Sequence, residues 1–97
     1  MTYKLEFKRS ALKEWNKLGS TLQQQLKKKL AERLKTPHVA PDRVLGADNV
    51  YKIKLRQSGY RLVYRVLDDV VVVTVIAVGK RERNEAYKKA LKRLDAE

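Results

Sequence analysis

Cysteine is absent from this 97-residue sequence, histidine occurs once, and acidic residues number 11 against 23 Lys plus Arg. Without cysteine there is no disulfide, no thiolate nucleophile and no cysteine-type zinc or iron–sulfur site, and a lone histidine, His38, builds no metal centre by itself. The chemistry expected is metal-free and uses no cofactor. Long apolar runs are missing too. No stretch approaches the roughly 18 apolar residues of a membrane-spanning helix. The start, Met1 to Arg9, is charged every two or three residues where a signal peptide needs an uninterrupted apolar segment. A soluble, cytoplasmic protein with no membrane partner is expected. So short a chain predicts one domain over residues 1–97, burying about 60 to 68% of the surface its unfolded form exposes.

What the sequence has is positive charge. The net +12 opposes compaction through self-repulsion and steers the molecule toward polyanions, nucleic acid first. Residues 1–36 hold ten basic and three acidic residues, 37–79 six and four, 80–97 seven and four. In the nearly balanced middle third, what matters is where the few cations point. With 43% hydrophobic residues, the chain is no disordered basic tail.

Tyr3, Leu5 and Phe7 alternate with Lys4 and Glu6, predicting a short first strand. Ala11, Leu12, Trp15 and Leu18 have helical spacing, Gly19 is placed to stop that helix, and Ser20 or Thr21 to cap the next. In the second helix Leu22, Leu26, Leu30 and Leu34 form one apolar line, ending near Thr36 because Pro37 disfavours a helical residue before it. Thr36 to Asn49 reads as a loop of a length often functional. Val50 to Arg56, Tyr60 to Leu67 and Val70 to Val78 read as three strands of an antiparallel meander, with turns at Ser58-Gly59 and Asp68-Asp69. The last of them is apolar on both faces, the mark of a covered central strand. A helix from about Glu82 to Leu94 completes a β-α-α-β-β-β-α order. The fold class predicted is α+β: a small antiparallel sheet of about four strands, a helical hairpin on one face and a C-terminal helix.

A two-residue Ser58-Gly59 loop makes cross-strand partners sum to 117: Arg56 with Arg61, Leu55 with Leu62, Lys54 with Val63, Ile53 with Tyr64, Lys52 with Arg65. Partners share a face. One face then carries Ile53, Leu55, Leu62 and Tyr64, fit for a core under the helices. The other crowds Lys52, Lys54, Arg56, Arg61 and Arg65, an arrangement that makes sense with an anion against it. Gly79-Lys80-Arg81-Glu82-Arg83 leaves the last strand for a helix N-terminus, where Arg81 and Arg83 oppose the dipole but suit phosphate. A solvated basic face with no specific site is the alternative.

Tyr51-Lys-Ile-Lys-Leu-Arg56, Ser58-Gly-Tyr-Arg-Leu-Val-Tyr64 and Val78-Gly-Lys-Arg-Glu-Arg83 through Tyr87, with Ala11-Leu-Lys-Glu-Trp15 upstream, resemble the RelE toxins of bacterial type II toxin–antitoxin pairs, nearly end to end. The hairpin and meander alone are shared with the wider RelE/ParE superfamily. The resemblance implies a ribosome-dependent endoribonuclease, an mRNA interferase that cuts messenger RNA in the A site of the 70S ribosome, contacts 16S rRNA and is neutralised by a cognate RelB-like antitoxin. Operator DNA would be met only through the toxin–antitoxin complex. Carried over residue by residue, the family's functional positions are Lys52, Lys54, Arg61, Arg81 and Tyr87. Arg56, Arg65, Lys80 and Arg83 are candidate phosphate contacts, and Lys27, Lys28 and Lys29 candidate rRNA contacts or a solvated helix face. The sequence departs from many relatives at Leu45, which stands before Gly46 where they have arginine, so a phosphate or rRNA contact they make there is not expected.

Metal-free RNA cleavage needs the 2′-hydroxyl deprotonated, the phosphorane stabilised and the 5′-oxygen protonated. His38, beside Pro37, reads as an ordinary surface residue. Lys54 is the expected base. A lysine at pKa about 10.4 is neutral in only about one molecule in 2,500 at pH 7, so this role requires a depressed pKa. A second cation about 6 Å away supplies about 3 kcal/mol, roughly two pKa units, at an effective dielectric of about 20. Lys52 is the expected electrostatic partner, Arg61 the stabiliser of the phosphorane and Arg81 the stabiliser or protonator of the leaving oxygen. Tyr87 either stacks on a base or orients the 2′-hydroxyl, or is a packed helix residue beside Ala86 and Ala90. The stripe of Ala86, Ala90, Leu91 and Leu94 is a core face or a surface that an antitoxin segment covers or displaces. Trp15, Tyr3, Tyr51, Tyr60 and Tyr64 read as core or core edge. The alternative functions are a ParE-like gyrase inhibitor, a non-catalytic nucleic-acid-binding module, and a corepressor role that can coexist with cleavage.

Overall fold

The computed structural model describes residues 2–80 and 85–96. The alternation at the start forms β1 (Lys4–Phe7), followed by α1 (Arg9–Asn16) and α2 (Ser20–Lys35) as a tight helical hairpin. Gly19 does not stop α1 but is the extended N-cap of α2, and Ser20 is already helical, with no side-chain cap bond at this end. The joint is closed by Gln23, whose Nε2–H donates to the carbonyl of Trp15 at 2.8 Å. Along α2, Leu26 and Leu30 are buried and Leu22 and Leu34 packed beside them. The helix ends at Lys35, with Thr36 out of helical geometry before Pro37.

The following loop contains a 3-10 turn, Ala40–Asp42, and an isolated bridge from Arg43 to Tyr51. Then come β2 (Val50–Leu55), β3 (Tyr60–Leu67), β4 (Val72–Lys80) and α3 (Glu85–Ala96). The sheet order is β1-β4-β3-β2, and β1 runs parallel to β4, from Lys4 opposite Val72 to Phe7 opposite Val75. The α+β class and element order are as the sequence implies, but the sheet is mixed rather than antiparallel throughout. Parallel neighbours need a long connection, and everything from α1 to β3 supplies it.

The β2–β3 loop is longer than the expected Ser58-Gly59 pair. Lys54 faces Arg61 and Ile53 faces Leu62, so partners sum to 115 rather than 117. The loop runs from Arg56 to Gly59, closed by the Gly59 N–H donating to Leu55 O at 2.8 Å with Gly59 at φ +76°. A slip of two residues leaves the side chains of the strands on their expected faces but takes Arg56 off the basic face into the turn, whereas a slip of one would have exchanged the faces. The like-charged opposition is therefore Lys54 with Arg61, not Arg56 with Arg61. Strand β4 also begins later than expected, because Val71 sits at φ +57° in the turn. Its carbonyl accepts the Lys4 N–H at 2.9 Å, where the pairing with β1 begins.

A bulge lies in β4: Val63 pairs with Ala77 and Tyr64 with Val75, leaving Ile76 as the extra residue. Ile76 and Ala77 both enter a core under α3 with Val50, Val63, Ala86 and Ala90. Val73, Val75 and Val78 enter the core under the helical hairpin, with Trp15, Leu26, Leu30, Ile53, Leu62 and Tyr64. The apolar run of β4 is thus covered on both faces. Among the described residues no helix is long and apolar enough to cross a membrane.

Candidate active site

Lys52 and Lys54 alternate with buried Tyr51, Ile53 and Leu55, which turns both lysines to the α3 side of the sheet. Arg61 lies opposite Lys54 on β2 and opposite Gly79 on β4. A side chain at Gly79 would point at Ala86, whose atoms lie 3.7 Å from where its Cβ would be, so the first turn of α3 is seated directly on the strand. One residue later, Tyr87 hangs over β2. The Lys52 Nζ stands 5.5 Å from the centroid of the Tyr87 ring, within reach of a cation–π contact. Partial burial pushes the Tyr87 phenol up, and the charge and hydrogen bond of Arg61 pull it the other way without cancelling the rise. At neutral pH Tyr87 is therefore a hydrogen-bond donor and a stacking surface, not a base.

Four of the five residues expected in the catalytic group, Lys52, Lys54, Arg61 and Tyr87, thus share one face. Arg81 lies outside the described residues, as does Arg83. Arg65 is on the same face but four residues further along β3, about 13 Å by ordinary strand rise. Arg56 is exposed in the turn, and Lys80, paired with Tyr60, belongs by register to the opposite face. Lys27, Lys28 and Lys29 are exposed on α2. Lys28 and Lys29 line, with Lys54 and Arg56, a groove of about 750 Å³ between α2 and the β2–β3 turn. Leu45 is 81% exposed and borders, with Arg43, Lys52, Tyr87 and Leu91, a cavity of about 320 Å³ beside the basic face.

Trp15, Tyr51 and Tyr64 are core and Tyr3 and Tyr60 core edge, as their spacing implies. Ala86 and Ala90 of the last helix are core as well, while Leu91 is half-exposed at the cavity. His38 is a structural link on the hairpin side of the sheet. Its Nδ1 lies 2.9 Å from the Tyr51 hydroxyl and its Nε2 2.9 Å from Asp68 Oδ1, which also accepts from the Tyr3 hydroxyl at 2.6 Å.

Two side chains that periodicity does not single out hold the face in shape. Arg33 of α2 donates to the Lys52 carbonyl at 3.1 Å, to the Tyr64 hydroxyl at 2.9 Å and to Asp42 Oδ2 at 2.6 Å, while the Tyr64 hydroxyl donates to Pro37 O at 2.7 Å. Burial disfavours the Arg33 charge, but its bonds to Tyr64 and Asp42 more than compensate, leaving its pKa raised. Glu14 of α1 plays the equivalent part at the other edge of the sheet. Its Oε1 accepts the Val78 N–H at 3.1 Å and Arg93 Nη1 at 2.8 Å, and its Oε2 accepts Lys89 Nζ at 2.9 Å. Burial works against the Glu14 charge, yet the bonds from Arg93, Lys89 and Val78 outweigh it and hold the carboxyl below the usual carboxylate range. A charged residue on a helix looks solvated in sequence, and only the distant partner reveals otherwise.

Three kinds of group therefore meet on one face: ammonium, guanidinium and a neutral phenol. Such a set can bind a phosphate, stabilise charge developing on it and stack on a base. Known proteins resemble this one closely. A family model described as the ParE toxin of type II toxin–antitoxin system, parDE, matches residues 5–85. The mRNA interferase toxin RelE of Escherichia coli (strain K12) is 58% identical over 94 residues, covering 97% of this chain and 99% of that protein. A mutant form of E. coli toxin RelE in the free state superposes with TM-score 0.89 at 56% identity, over 97% of this chain and 99% of that one. The toxin in the intact E. coli RelBE toxin–antitoxin complex matches with TM-score 0.81 at 59% identity, over 84% and 99%.

Proposed function

We propose, from the premise that this chain belongs to the RelE family of type II toxin–antitoxin toxins, that it cuts messenger RNA in the ribosomal A site by metal-free attack of a ribose 2′-hydroxyl on the adjacent phosphate. The chain is the toxin member of a toxin–antitoxin pair and an mRNA interferase. A cognate antitoxin of the RelB type is its partner, as the RelBE complex of its relative supports; the ribosome and the messenger are assigned as its substrate complex, and the cytoplasm as the place where these meet.

The observation supporting this chemistry best is the convergence of Lys52, Lys54, Arg61 and Tyr87 on one face. A pure binder needs only scattered phosphate contacts and no such focus. Lys54 takes the 2′-hydroxyl proton. The 2′-oxygen bonds to phosphorus, the bond from phosphorus to the 5′-oxygen breaks, and that oxygen takes a proton from water while Lys54 returns the one it holds to solvent, giving a 2′,3′-cyclic phosphate and a 5′-hydroxyl. Arg61 stabilises the phosphorane by charge, Lys52 adds to the local positive potential, and Arg81 is assigned to the leaving oxygen. Tyr87 offers its ring to a splayed base and its hydroxyl to an oxygen of the scissile unit. The basic groove between α2 and the β2–β3 turn, with Lys28, Lys29 and Arg56, is assigned to rRNA phosphates.

The match to a model described as ParE favours one second reading, gyrase inhibition without nuclease activity. A defined messenger RNA incubated with the toxin, with and without programmed ribosomes, separates the two. The cleavage reading expects ribosome-dependent cuts within codons, reduced by about 10² or more in Lys54→Ala. No cleavage by folded, antitoxin-free wild type overturns it and turns the test to gyrase.

A further inference from the structure

β1 pairs with β4 only from Val72 to Val75, so from Ile76 onward that edge of β4 has no strand beside it among the described residues. Side chains from both faces cover it instead. From the hairpin face Glu14 takes the Val78 N–H, and from the opposite face Arg93 Nη1 donates to the carbonyl of Ile76, the bulge residue, at 2.9 Å. Arg93 and Glu14 then join around the edge through two bonds, at 2.8 and 3.1 Å, and Lys89 adds a third at 2.9 Å. The Glu14 and Arg93 side chains are each 18% exposed. This is a largely dry, charge-assisted clasp of the kind that holds one geometry.

The clasp bears on the active face through the rotation of α3. At about 100° per residue, Lys89 and Arg93 occupy one flank of the helix, Ala86 and Ala90 the middle, and Tyr87 and Leu91 the other flank. The middle stripe is Ala86 and Ala90, buried on Ile76, Ala77 and Val63, with Leu94 packed against the same cluster only at the far end of the helix; along the turns beside Tyr87, small side chains offer little to stop the helix from rolling. The flanks must fix the roll. On one side stands Tyr87, against Lys52; on the other stands the clasp. We propose that Glu14 is a positioning residue of the cleavage site: through Arg93 and Lys89 it sets the roll of α3 and so holds the Tyr87 ring over Lys52. As regards cleavage, this inference rests on the function proposed above; as regards geometry, it does not.

Two measurements on folded protein test it. In NMR spectra the Lys52 ε-methylene protons should be shifted upfield by the Tyr87 ring in wild type, and that shift should shrink toward the Tyr87→Leu value in Glu14→Ala. In single-turnover cleavage on programmed ribosomes, Glu14→Ala should lose about tenfold, the scale of one charge-assisted contact. In a Tyr87→Ala background the same change should lose less than about twofold, because the residue it positions is already gone. Glu14→Gln, which keeps the acceptor for Val78 but not the charge, should fall between. An unchanged Lys52 shift in Glu14→Ala overturns the proposal, and so do losses that simply multiply in the double variant. Absence of cleavage by wild type overturns the functional reading alone, and the NMR shift still decides whether Glu14 positions Tyr87. Should Glu14→Ala not fold, Lys89→Met removes one arm of the clasp and is read by the same shift.

Discussion

Lys54 and Arg61 stand directly opposite each other on β2 and β3, two cations on neighbouring strands with the same face of the sheet beneath them. Like charges so placed cost stability, about 0.2 to 1 kcal/mol. An arriving phosphate turns that cost into attraction. Lys54→Gln is therefore expected to stabilise the free protein by a few tenths of a kcal/mol at low salt and to lower cleavage by about 10² or more. Thermal unfolding at low and high salt, set beside single-turnover cleavage, checks both. A variant that loses stability and activity together would show that the pair is structural.

Tyr87 keeps its proton at neutral pH, as a phenol ordinarily does, and burial raises its pKa further against the opposing pull of Arg61. Its ring and its hydroxyl can be tested separately. Tyr87→Phe keeps the stacking surface and should lose less activity than Tyr87→Ala, which also forfeits base stacking worth about 1 to 3 kcal/mol. Between pH 6 and 9 the pH–rate profile of Tyr87→Phe should run parallel to that of wild type. A change in slope over that range would make the phenol a titrating base, against this account.

Glu14 supplies a pH signature of stability. Its pKa is lowered in the fold from the ordinary 4.5, so the stability it contributes is complete above that value and is lost as pH falls through the depressed one. The difference in unfolding free energy between wild type and Glu14→Gln should be constant from about pH 6 to 8 and shrink below pH 4.5. Denaturant midpoints across that range measure it. A difference that grows on acidification would contradict the clasp.

Val71 holds φ +57° with a β-branched side chain, a conformation costing roughly 1 to 2 kcal/mol. Val71→Asn tolerates that backbone and leaves the carbonyl that accepts Lys4 N–H untouched. An increase of about 1 kcal/mol is expected, a few degrees in the midpoint of thermal unfolding. Unchanged or lower stability would show that the valine side chain packs well enough to offset its strain.

Legibility in the sequence followed the physics of each element. The leucine line of α2 and the two-faced apolar run of β4 were plain, because burial imposes periodicity on the residues themselves. The hairpin register differs by two residues from the one the sequence implies, since turn length depends on whether Gly59 closes a two- or a four-residue loop. Apart from Arg56, the basic face is the same in either register because strand alternation has period two. The parallel place of β1 left no local mark, nor did the cap at Gly19. Glu14 and Arg33 escaped for another reason: each pairs with groups far along the chain, Glu14 with Arg93 and Arg33 with Tyr64, and in sequence both look like solvated helix charges. In the sequence, strand alternation gathers Lys52, Lys54 and Arg61 on one face together with Arg56 and Arg65, and family resemblance narrows that set and adds Tyr87, one of five tyrosines; the fold brings Lys52, Lys54, Arg61 and Tyr87 together.

The central claim is that the face of Lys52, Lys54, Arg61 and Tyr87 drives attack by a ribose 2′-hydroxyl. The direct measurement is single-turnover cleavage, on programmed ribosomes, of a messenger carrying one 2′-deoxy nucleotide at the scissile position. The cut at that position should disappear, while the unmodified messenger yields a 2′,3′-cyclic phosphate and a 5′-hydroxyl. Cleavage that persists at the deoxy position, or ends bearing a 5′-phosphate, would contradict that claim.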